Sequence, residues 1–161
     1  MSDSPVRPFA PAGGDFRWDA VELTRYKEEG SAPFRDVTRQ TLFRDPGMRG
    51  ELRYFEVAPG GFSTLERHAH VHAVMILRGA GAVLVGDGVF PVKAFDLVTV
   101  PPTTWHQFRA APGAPLGFLC MVDAERDRPQ LPDAEEMLRL RNSPAVAAFL
   151  DAASMPTATA R

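Results

Sequence analysis

The chain is poor in cysteine, lysine and histidine, and each scarcity excludes something. Its one cysteine, Cys120, leaves no partner for an intrachain disulfide and no CxxC pair for zinc or redox chemistry. Only two lysines, Lys27 and Lys93, stand among the 18 basic residues, a bias that GC-rich coding accounts for. The 18 basic and 20 acidic residues are spread along the chain, for a net charge of −2. There is no basic stripe for nucleic acid and no polybasic segment for an anionic membrane. No apolar run approaches the ~20 residues of a membrane span. The N-terminal MSDSPVRPFAPAGGD lacks the apolar core of a secretion signal. These absences lead us to expect a cytoplasmic protein in a reducing environment.

The 161 residues, 45% hydrophobic and 24% charged, suit one globular domain with a real core. Residues 1–15, rich in Pro, Gly, Ser and Ala, read as a flexible arm. Residues 16–49 carry scattered apolar positions, and TRQTLF at 38–43 alternates as a short strand. From residue 50 to 123 the strand signal is strong. ELRYFEVAPGG reads as a strand ending in a Pro-Gly-Gly turn, and HAVMILRGAGAVLVGDGVFPV as two strands around Gly79–Gly81 with an Asp-Gly turn after them. FDLVTVPP and LGFLCMVD supply two more. Short strands punctuated by Gly and Pro indicate an antiparallel sandwich or barrel. Residues 124–161 change texture. PDAEEMLRLR and SPAVAAFLDAA read as short helices, with Ser143 as N-cap and Pro144 at the first position, and SMPTATAR reads as an unstructured tail.

The chain has four histidines, and three stand together in ERHAHVH, residues 66–72. On a strand, alternate residues share a face, so Glu66, His68, His70 and His72 would line up. Imidazole and carboxylate together suit Fe, Mn, Ni, Cu or Zn. Distance sets a condition. Residues four apart on a strand are about 13 Å apart, too far to share one metal. Either the chain kinks near Ala69–Val71, or only some of the four are ligands. The fourth histidine, His106, follows Trp105 in VPPTTWHQF.

This region resembles the cupin family. The first cupin motif reads G(x)5HxH(x)3–4E(x)6G, and its closing glycine matches Gly79. Its metal-binding positions then fall on Glu66, His68 and His72. In the second motif, Pro101 and His106 match, Asp96 keeps the aspartate of the Pro-Gly-Asp turn, and Phe95, Thr103 and Ala110 replace Gly, Gly and Asn. The resemblance implies an all-β fold, an antiparallel double-stranded β-helix (jelly-roll or cupin barrel), here with short C-terminal helices. It implies one divalent transition metal, Fe or Mn ahead of Ni, Cu or Zn, held by Glu66, His68, His72 and His106. In cupins the first motif crosses a turn, which supplies the bend. His70 would then sit beside the metal as a proton donor, an alternate ligand or a neighbour of the ligands.

FLCMV is similar to a segment of small manganese cupins, which implies that Cys120 points into the barrel. The alternative is a small buried hydrophobe. Trp105 and Phe108 flank the metal histidine and are expected to wall a substrate pocket. The function implied is a metal-dependent oxygenase, or a related lyase or isomerase, acting on a small organic molecule. The alternative is a non-catalytic binding or sensor module. Cupins commonly dimerise through N-terminal strands, so a homodimer is expected.

Overall fold

The structure, a computed structural model, describes residues 5–154. The first residues of the expected arm and the expected tail from Met155 lie outside that range. Eight strands and two helices follow in chain order: β1 Leu23–Arg25, β2 Arg35–Phe43, β3 Gly50–Phe62, β4 His72–Val85, β5 Gly88–Lys93, β6 Leu97–Val100, β7 His106–Ala110, β8 Leu116–Asp123, α1 Ala134–Leu140 and α2 Pro144–Ser154. All strand pairings are antiparallel.

Two long strands close the barrel. β3 and β4 both pair with β8 along one wall. Further along, both pair with β7 on the other wall. β1 and β2 extend the first wall beyond β3, while β6 flanks β4 there. β5 flanks β4 on the second wall. The N-terminal strands are therefore paired within the chain. Arm residues fold back too: the Phe9 ring meets Phe16 and Trp18 edge-on, and Phe16 and Trp18 cover Tyr54.

Two expected turns are instead bends within continuous strands. Pro59-Gly60-Gly61 does not end β3, which runs on to Phe62. The Gly79–Gly81 segment does not divide two strands but lies inside β4. Glycine is required at this corner. Gly79 has φ 76°, and a Cβ there would lie 1.7 Å from the Pro115 carbonyl oxygen. The chain passes from wall to wall without giving up its ladder, because glycine permits both the dihedral and the close approach.

Inward residues of both walls form the main core, including Val57, Val74, Ile76, Val83, Phe108 and Phe118. The helices seal a second cluster on the outside of the β4–β5 wall, where Leu84 meets Val146, Phe149 and Leu150. α1 is capped by Asp133, whose side chain accepts from the Glu136 amide while Glu136 reaches back to the Asp133 amide.

Candidate metal centre

ERHAHVH is not a straight strand. The chain is bent at Ala69–His70, and β4 begins only at His72. Glu66 and His106 are held side by side by two backbone hydrogen bonds, 3.2 and 3.0 Å. The Thr103 amide anchors the His68 carbonyl at 2.7 Å. This scaffold gathers three imidazoles. Nitrogens of His68, His72 and His106 lie within 4.8 Å of one another, and all three residues are buried.

Their hydrogen bonds leave the cavity-facing nitrogens available. His68 Nδ1 lies 2.9 Å from the His70 carbonyl, and His106 Nδ1 lies 3.0 Å from the Thr104 carbonyl. A carbonyl only accepts, so each ring carries its proton on Nδ1 and offers the Nε2 lone pair. His68 Nε2 and His72 Nε2 are buried without a hydrogen-bond partner. Buried ring nitrogens without a partner are costly, and a divalent cation bound by the neutral imidazoles would satisfy both. Burial holds the His68 and His106 imidazoles down to about 4, and pushes His72 down as well; neighbouring imidazoles add to the effect. The rings therefore stay neutral, the form that binds metal, across the physiological range.

The other candidate residues fall at distinct places. Glu66 is buried on the cavity wall, and Lys27 engages its Oε2. The His70 ring stacks on His68 with centroids 3.7 Å apart. Its Nδ1 is 2.9 Å from Asp127 Oδ1, and the Ala69 amide holds the other Asp127 oxygen at 2.8 Å. These bonds keep the Asp127 carboxyl below the usual carboxylate range. Cys120 Sγ lies 3.4 Å from His72 Nδ1, and burial raises its thiol pKa. Phe108 and Cys120 both line the cavity, which has a volume of about 220 Å³. Trp105 does not line it. Its ring faces the Arg67 guanidinium at 4.5 Å and packs beside the second cluster under the helices.

Several cavity residues escaped the sequence reading: Lys27, Arg39, Arg53, Arg126 and Asp127 among them. Lys27 reaches Glu66 across 39 residues of chain, and Asp127 reaches His70 across 57. No local spacing could reveal such contacts. Arg53 was open to detection, since β3 alternation puts it on the inward face with Phe55.

A closed antiparallel barrel with three imidazoles at one end is a cupin architecture, and the chain belongs to the cupin family. The cupin-domain model matches residues 53–122. The chain is 61% identical over 152 residues to the 1-methylthio-D-xylulose 5-phosphate methylsulfurylase of Rhodospirillum rubrum, across 94% of this chain and 97% of that one. A cupin 2 conserved barrel domain protein from Rhodopseudomonas palustris superposes with TM-score 0.83 at 56% identity, covering 89% of this chain and 97% of the other. A cupin-2 domain protein from Rhodospirillum rubrum does so with TM-score 0.83 at 59% identity, covering 92% and 100%.

Proposed function

We propose that this protein transfers the methylthio group of 1-methylthio-D-xylulose 5-phosphate to a small thiol, the carbon–sulfur bond breaking as a sulfur–sulfur bond forms and a proton replacing sulfur on the carbon, with one divalent transition metal held by His68, His72 and His106. The observation that carries the reading is its 61% identity, over nearly the whole of both chains, to a protein named for that reaction. The three-histidine cluster supports the metal. Iron or manganese is the ion we expect, with nickel, copper or zinc also suited to imidazole. Such an ion supplies Lewis acidity to a carbonyl next to the carbon that loses sulfur. Glu66 is the proposed fourth donor, through the carboxylate oxygen that Lys27 does not hold.

The remaining roles belong to the chain's own side chains. Asp127 accepts the Nδ1 proton of His70, so the other ring nitrogen is free to take or give a proton at the cavity. Phe108 and Phe118 keep water from the metal side of the cavity. The single buried thiol of Cys120 fits a cytoplasmic setting.

The test is direct. Metal-loaded protein is given the substrate and a small thiol as acceptor, and proton NMR follows the S-methyl signal. The signal should shift with turnover and stay fixed after metal is stripped. No change with loaded protein sinks the reading. His106→Ala should abolish metal content while the barrel stays folded. Retained metal there, or metal lost in His70→Ala but kept in Glu66→Ala, overturns the ligand set. A second reading, dioxygenase-type oxidation of a small molecule, rests on the same three imidazoles. Oxygen consumption coupled to substrate loss would favour it.

A further inference from the structure

The chemistry at the histidines uses one end of the proposed substrate. The other end carries a phosphate, and the cavity needs a cation to receive it. Four cationic side chains line the cavity: Lys27, Arg39, Arg53 and Arg126. Against them stand two carboxylates, Glu66 and Asp127. Three of the cations are already engaged. Lys27 is bound to Glu66. Arg53 and Arg126 both reach the buried Glu51, at 3.5 and 3.3 Å. Arg39 differs. Among the described residues it has no carboxylate partner. Among those residues its side chain makes one hydrogen bond, a long one, from Nε to the Thr24 hydroxyl at 3.4 Å.

Position singles out the same residue. Arg39 follows Val37 by two on β2, so both side chains face into the barrel, and both line the cavity. Arg39 also lines the groove outside, with Arg25, Lys27 and Ser31. It thus lies between the cavity and that outer groove, while His72, His106 and Cys120 are buried. Thr24 fixes Nε, and the two terminal nitrogens remain for a ligand. A guanidinium so presented matches phosphate oxygens in a bidentate fork.

We propose that Arg39 binds the substrate's phosphate at the cavity mouth, so that the methylthio-bearing end is directed to the histidines. This rests on the substrate assigned above. Arg39 is thus a positioning and specificity residue and takes no part in bond breaking.

The experiment compares wild type, Arg39→Gln and Arg39→Lys. Metal content and circular dichroism should match in all three. With 1-methylthio-D-xylulose 5-phosphate, Arg39→Gln should raise KM about 10- to 100-fold, the range for one charge-assisted contact, with kcat nearly unchanged. Arg39→Lys should recover part of the loss. Wild type should strongly prefer the phosphorylated sugar over 1-methylthio-D-xylulose, and Arg39→Gln should lose most of that preference. Calorimetry with inorganic phosphate is independent of turnover: wild type should bind it and Arg39→Gln should not. Equal phosphate binding by the two, or a KM within twofold of wild type, overturns the proposal. If wild type binds phosphate through Arg39 yet turns over no substrate, the reaction assigned above fails and the phosphate site stands.

Discussion

His68 and His106 show how burial and hydrogen bonding prepare a side chain for a task. Each is buried, each donates Nδ1–H to a backbone carbonyl, and each is held to a pKa of about 4 by desolvation. The sign of the pH effect follows. In the unfolded chain these rings titrate near 6.5. Between about 6.5 and about 4 the unfolded state therefore binds more protons than the folded one. Stability is fully present above pH 6.5 and is lost as pH falls through that window. The loss reaches up to roughly 3 kcal/mol per ring once the pH has fallen to about 4. Metal-stripped protein should show a falling urea midpoint from about pH 7 to about pH 4.5, and His68→Asn should flatten it. A level midpoint in wild type, or an unchanged slope in the variant, contradicts this account. At this scale the sequence was most informative where the residues are neighbours. Three alternate histidines announce themselves. The bend that lets two of them meet His106 is a property of the cupin turn, absent from strand periodicity. Arg39 and Asp127 stayed hidden because the fold alone brings them to the cavity.

At the scale of elements, the two cupin motifs set the corners of the barrel. Gly79 closes the first motif and takes φ 76°. Phe95 and Thr103 stand where the second motif has glycine, and they take φ 74° and 56°. The chain keeps the turn geometry of the family while replacing the residue that suits it. This explains why the register held in spite of the departures: backbone shape is retained at positions where residue type is not. The same geometry hid the continuity of β3 and β4, since glycine in a sequence reads as a strand end as readily as a bend. β8 was legible to its limits, Leu116–Asp123, because it carries no glycine kink after its start. The corner glycine and its substituted counterparts should respond in opposite directions. Gly79→Ala sets a Cβ 1.7 Å from the Pro115 oxygen in a left-handed backbone. It should cost at least about 3 kcal/mol, through strain and the forced separation of β4 from β8. Phe95 is exposed and packs little. Phe95→Gly relieves a left-handed conformation worth roughly 1–2 kcal/mol, offset by about 0.4–1 kcal/mol of unfolded-chain entropy. It should leave stability level or raise it by up to about 1.6 kcal/mol. Thermal melts of the two variants decide this, and a destabilised Phe95→Gly rejects the strain account.

At the scale of the whole molecule, the first wall has an outer face that the described residues cover only in part. Strand register places Gln40, Tyr54, Leu119, Met75 and Leu97 in one row across five strands. Phe43, Leu52, Met121, Ala73 and Thr99 form the next. The folded-back arm covers one end of the first row, with Phe16 and Trp18 on Tyr54 and the Gln40 amide bound to the Phe16 carbonyl at 2.9 Å. Among the described residues nothing covers the other end, where Leu97 is 74% exposed, Met121 40% and Met75 39%, and Phe43 at the β2 end of the second row is 46% exposed. Apolar side chains continuous across a sheet mark an interaction face. The edges of this wall offer less, since β1 has three residues and β6 four. A homodimer would then form face to face through β8, β4 and β6. This differs from the dimer through N-terminal strands, exchanged or paired, that is expected from the sequence; in this structure β1 and β2 pair within the chain. Light scattering after size exclusion should give twice the chain mass. Leu97→Glu combined with Met121→Lys should give the monomer with metal content unchanged, since neither side chain lines the cavity. A monomeric wild type rejects the dimer. A double variant that remains dimeric moves the interface elsewhere on the barrel.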